Sequence, residues 1–114
     1  MWYALICSDA NNSLNKRKVN RPAHLKRVKA LKEQGRILIA GPHPAIDSEN
    51  PDQAGFSGSL IVAEFKTIEE AQSWIKSDPY YINGVFKDVI VKPFKVIFPC
   101  CLLYTSPSPR DLAV

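Results

Sequence analysis

SLIVAEFKTIEEAQSWI, Ser59 to Ile75, changes its period half-way along. Ser59–Phe65 is short, apolar and rich in branched side chains, the pattern of a strand buried on both faces. Thr67 and Glu70 then stand at capping-box spacing, where a threonine oxygen and a glutamate side chain satisfy the first free N–H groups of a helix. Ile68, Ala71, Trp74 and Ile75 follow at intervals of three and four, one inner stripe of an amphipathic helix. A strand passing straight into a capped helix is the building unit of a layered domain.

Working outward, Trp2–Ser8 is apolar on both alternating sets and predicts a second strand buried on both faces. Asp9–Ser13 is turn material. A helical region runs to Gln34 and closes on Gly35. Asn20 is its expected cap and Pro22 lies in its first turn, with Leu14–Val19 a preceding turn or short helix. His24, Val28 and Leu31 share an inner face with Leu25. Arg36–Gly41 reads as a strand ended by Gly41-Pro42, and His43–Ser57 as a long polar loop. The helix after Thr67 stops at DPYYING, and Val85–Val91, continued to Phe98, is the last strand. The order β-α-β-β-α-β predicts an α+β, ferredoxin-like sandwich with both helices on one face of a four-stranded sheet. Two helices cover one face only, yet the strands are apolar on both. The open face therefore predicts a homodimer joined sheet to sheet.

Composition narrows the function. The 114 residues suit one domain, with 46% apolar and 23% charged side chains. No apolar run approaches the roughly 18 residues of a membrane span, and no basic leader precedes MWYALICSD, so a cytoplasmic protein is expected. Much of the net charge of +4 lies between Lys16 and Lys32. Aromatic side chains are missing from that window, so nucleic-acid binding is not expected and a solvated helix face is. There is no GxGxxG, P-loop, HExxH or GxSxG, and Cys100 and Cys101 lack zinc-site spacing. Neither a cofactor nor a metal is predicted.

With two histidines in the chain, the search for a general base is short. His24 lies on an apolar helix face, and near a helix N-terminus the imidazole would stay neutral and able to accept a proton. Such a base works best when a carboxylate holds its second nitrogen. The candidate carboxylate is Asp78, before Pro79; Asp9 and Asp47 are weaker competitors. The plain alternatives are a core histidine bonded to a backbone carbonyl and an aspartate that merely stabilises a turn. Gly41 and Pro42, beside the long loop, are weak candidates for an anion site. His43 is expected to be an exposed loop residue.

Four segments carry a family resemblance: RPAHLKRVKALKEQGRILIAGP (21–42), AGFSGSLIVAEF (54–65), DPYYINGVF (78–86) and VKPFKVIF (91–98). In this order and spacing they resemble the YciI-like, or YCII-related, family over residues 1–98. The resemblance implies the dimeric α/β-barrel type of ferredoxin-like fold and a site centred on His24 and Asp78. It places Arg21, Gly41, Pro42, Ser59 and Tyr80 on further motif positions that would line the substrate pocket. One family relative removes chloride from a chlorinated hydroxyhydroquinone, which implies cofactor-independent proton abstraction from a small molecule. The competing expectation is a non-catalytic dimeric module that binds a metabolite or a protein. Residues 99–114 fall outside the family pattern and are expected to be a non-native or disordered tail. Within them CLLYTSPSPRD, Cys101 to Asp111, resembles a translated sequencing-library adapter.

Overall fold

A computed structural model describes residues 1–98; the expectations for 99–114, the double cysteine among them, lie outside the described residues. The elements run β1 (Trp2–Asp9), α1 (Leu14–Glu33), β2 (Ile37–Pro44), β3 (Phe56–Glu64), α2 (Ile68–Lys76), α3 (Pro79–Ile82) and β4 (Phe86–Phe94). The four strands form one antiparallel sheet in the order β2-β3-β1-β4. This is the ferredoxin-like α+β arrangement that the strand and helix order predicts.

Register decides which side chains meet the helices. Leu5 pairs with Ile61 and Val91, and Cys7 with Ser59 and Val89. Leu5, Cys7 and Ile61 are buried under α1 and α2 with Ile75, Ala71, Tyr80 and Val85. The other parity, including Ile39, Ile90 and Phe94, is left open in the single chain, where these three are exposed. Gly58 is required where β1 and β3 approach: a Cβ there would stand 2.0 Å from the Cys7 carbonyl oxygen.

Local signals hold best at α2. Thr67 Oγ1 accepts from Glu70 N–H at 3.1 Å, and Glu70 answers by accepting from Lys66 N–H at 3.0 Å, one residue before the usual partner. Ala71 and Ile75 are fully buried, with Ile68 and Trp74 packed beside them.

Three expectations are corrected. Asn20 does not cap a helix: α1 is continuous from Leu14 and passes through Pro22. Proline there removes the N–H that would bond Lys18 C=O, but both residues are exposed, where an unpaired carbonyl is cheap because solvent can reach it. The first turns are held by tertiary contacts instead, as the site shows. Secondly, β2 does not end at Gly41-Pro42 but runs to Pro44. It is an edge strand, where a missing N–H costs little. Much of the expected loop is thus the β2–β3 hairpin, whose tip holds a short 3-10 turn, Asp52–Ala54. Thirdly, DPYYING is not a bare stop but the start of α3, a single turn.

Candidate active site

Asp78 caps α3, its Oδ2 accepting from Tyr80 N–H at 3.0 Å, with Pro79 at the first helical position. This places the carboxylate, fully buried, against α1. There the same Oδ2 lies 2.7 Å from His24 Nδ1, while Oδ1 accepts from Arg27 Nη1 at 2.9 Å. A carboxylate ringed by donors accepts from the imidazole as well, so Nδ1 carries a hydrogen and Nε2 is the nitrogen left to exchange a proton. Neither plain alternative describes these residues fully, since Asp78 both stabilises a turn and holds the histidine.

The rings extend the arrangement. His24 stacks on Tyr80 with centroids 4.0 Å apart and planes within 9°. Tyr80 meets the edge of Phe86, and Arg27 lies 4.5 Å over the ring of Trp74. Burial pushes the Tyr80 hydroxyl's pKa up, against the opposing pull of Arg17 and Arg21. One sequence-based argument for His24 does not survive: it lies in the middle of the long α1, away from any helix terminus, so the helix dipole does not set its charge.

His24 and Tyr80 line a cavity of about 390 Å³ between α1 and the sheet. Arg21, Gly41, Pro42 and Ser59 line it too, so the five pocket candidates lie around one cavity with His24, while Asp78 stands behind the histidine. Of the competitors, Asp47 is exposed on the hairpin, as is His43. Asp9 is buried but belongs to a second cluster, centred on Arg17. Among the described residues no group of three or more His, Cys, Asp and Glu side chains could hold a metal ion. No helix among them is long and apolar enough to cross a membrane.

Arg17 and Arg27 were hidden in the basic run, where a cation reads as solvated. Arg17 is buried: Nε and Nη2 grip the two Asp9 oxygens at 2.6 and 2.9 Å, and Nη2 also reaches Gly58 C=O and Ser59 Oγ. Ser13 Oγ donates to the same Asp9 at 2.7 Å. The available signal was spacing: Arg17, His24 and Leu31, the buried residues of α1, are seven apart and share one face.

With this geometry in place, comparison with known proteins is direct. The YCII-related domain family model matches residues 1–95. The chain belongs to that family. Among its YCII-related relatives, Protein YciI of Escherichia coli is 50% identical over 98 residues, covering 86% of this chain and 100% of the relative. An uncharacterized protein of Haemophilus influenzae is 49% identical over the same span and shares. A solved structure, 5-chloro-2-hydroxyhydroquinone dehydrochlorinase (TftG) from Burkholderia phenoliruptrix in complex with 2,5-dihydroxybenzoquinone, matches with a TM-score of 0.74 and 28% identity. The match covers 83% of this chain and 94% of TftG, so the YCII-related fold here is of the same dimeric α/β-barrel type.

Proposed function

We propose that this YCII-related chain is a cofactor-independent enzyme of the lyase, isomerase or dehydrochlorinase type, acting on a small molecule by proton abstraction. The observation that carries the reading is the 2.7 Å contact of His24 Nδ1 with the buried Asp78, beside a cavity lined by the same histidine. Asp78 orients the ring and stabilises the imidazolium that forms, and Nε2 takes the proton. The released electron pair then moves to a neighbouring oxygen or expels a leaving group such as chloride. TftG, a dehydrochlorinase with a related fold, supports a reaction of this class but does not fix the substrate. The non-catalytic alternative called for a histidine bonded to backbone and no cavity at Asp78; Asp78 is indeed behind the cavity wall, but its bond to His24, which does line the cavity, favours catalysis.

The test is a thermal-shift screen of small hydroxylated aromatics and enolisable acids, followed by turnover assays of each ligand found. His24→Ala is expected to fold and to lose about 10²-fold or more in turnover. A ligand turned over equally well by His24→Ala would overturn the assignment. We further propose that the open sheet face, with Ile39, Ile90 and Phe94 exposed, is covered by a second copy of the chain. Light scattering at micromolar concentration is expected to give a dimer, and a stable monomer would exclude that arrangement.

A further inference from the structure

The hydrogen bond between Arg17 and Ser59 has a forced direction. A guanidinium only donates, so at 3.0 Å from Arg17 Nη2, whose two hydrogens are shared with Asp9 Oδ1 and Gly58 C=O, the Ser59 Oγ accepts. Its own hydrogen must point elsewhere. Ser59 is buried, at 4% exposure, and among the described residues its hydroxyl donates to no acceptor. A buried donor in this state has its hydrogen bond open to solvent or to a bound ligand.

Neither residue is free to relax. Ser59 stands opposite Cys7 in the β1–β3 ladder, on the face turned to the helices. Arg17 is held by both oxygens of Asp9 and by Gly58 C=O, with the rings of Phe56 and Tyr80 each 5.2 Å from its guanidinium carbon. Its Nη1 meets no acceptor among the described residues either. Both Ser59 and Arg17 line the cavity that holds His24, Lys18 and Arg21 add two exposed cations to that lining, and no Asp or Glu is part of it.

We propose that Ser59, polarised by Arg17, is the oxyanion-binding group of this cavity, and that the ligand is a small planar oxyanion: an enolate, phenolate or carboxylate. The inference rests on His24 as the base. When Nε2 takes a proton from carbon next to a carbonyl, the C–H pair forms a C=C bond and the carbonyl π pair moves onto oxygen. Ser59 Oγ–H donates a hydrogen bond to that oxygen while keeping its proton, with the Arg17 charge behind it. The imidazolium then returns its proton at another atom, or the enolate expels a leaving group. No oxidant or reductant is needed.

The probe is 2,5-dihydroxybenzoquinone, a coloured vinylogous acid that is anionic at neutral pH, with neutral 2,5-dimethoxybenzoquinone as control. Binding is read by difference absorbance and calorimetry at fixed salt. Wild type is expected to bind the anion and reject the ether. Ser59→Ala is expected to bind the anion about 10-fold or more weakly, and Ser59→Thr, which keeps the hydroxyl, within a few-fold of wild type. Circular dichroism checks that both variants fold. Equal binding by Ser59→Ala, equal binding of the ether, or no binding of the anion by wild type at millimolar concentration each overturns the proposal. The base reading is judged separately, by turnover in His24→Ala, so the two can fail independently.

Discussion

His24 Nδ1 and Asp78 Oδ2 lie 2.7 Å apart across 54 residues of sequence, one in the middle of α1 and the other at the cap of α3. The same oxygen accepts from Tyr80 N–H, so the contact that orients the ring also starts the helix. Local chain geometry and site geometry are one construction here, and substitutions at this corner act on both.

Asp78→Asn is expected to separate the two roles in part. The amide oxygen in the place of Oδ2 can still cap α3 and accept from His24 Nδ1, but the amide N–H groups then replace Oδ1 and face Arg27, itself a donor. The histidine keeps its Nδ1–H tautomer but loses the negative charge that would stabilise its imidazolium. Turnover should fall about 10²- to 10⁴-fold, with a stability loss of about 1–3 kcal/mol. The pH–rate profile and urea unfolding check the two halves of this statement.

Among the described residues Arg17 is the only cation that bonds Asp9, so Arg17→Met leaves a buried carboxylate with no ion-pair partner. A loss of about 3–5 kcal/mol is expected, a large share of the stability of a small domain. Arg17→Met combined with Asp9→Asn should lose less than the sum of the single changes, because the stranded charge is gone. Urea midpoints of the four proteins close the cycle.

At Gly58 the obstacle is backbone against backbone. An added Cβ would stand 2.0 Å from the Cys7 carbonyl oxygen, so β1 and β3 must part locally. Gly58→Ala should cost at least the roughly 1–3 kcal/mol of an overpacked site. Faster amide exchange at Ser8 and Ser59 would locate the damage.

Cys7 gives a pH prediction. Burial, then the Asp78 and Asp9 charges, push its thiol up to about 12, against the opposing pull of Arg17. The folded protein therefore holds this proton more tightly than the unfolded chain, whose ordinary thiol value is 9.0. The contribution is complete below about pH 9 and is lost as pH rises towards 12, by about 4 kcal/mol in all. Cys7→Ala should show a shallower decline of stability over that window in parallel urea titrations.

Alternation and the Thr67–Glu70 capping box made the sheet and α2 legible, because both are local: the side chains that satisfy the first N–H groups are three residues apart. The start of α1 was not. Ser13 makes no side-chain bond to the helix backbone, spending its hydroxyl on Asp9 instead, and Arg17 anchors the first turns through the same carboxylate. Such anchoring is tertiary, and Pro22 looked like a boundary without it. His24 and Asp78 stood out because each residue type is rare or constrained where it occurs. Arg17 and Arg27 did not, since a buried cation and a solvated one look alike in a basic run until the acid across the fold is known.

The Arg17–Asp9 pair is also a partition. Arg17 borders the 390 Å³ hollow that holds His24, Asp9 borders a neighbouring one of about 510 Å³, and Leu14 and Phe56 face both. On the proposed reading, one ion pair closes the floor of the ligand cavity on the side of the second hollow. Replacing both partners together with small side chains would join the two hollows and admit longer molecules, with the base left where it is.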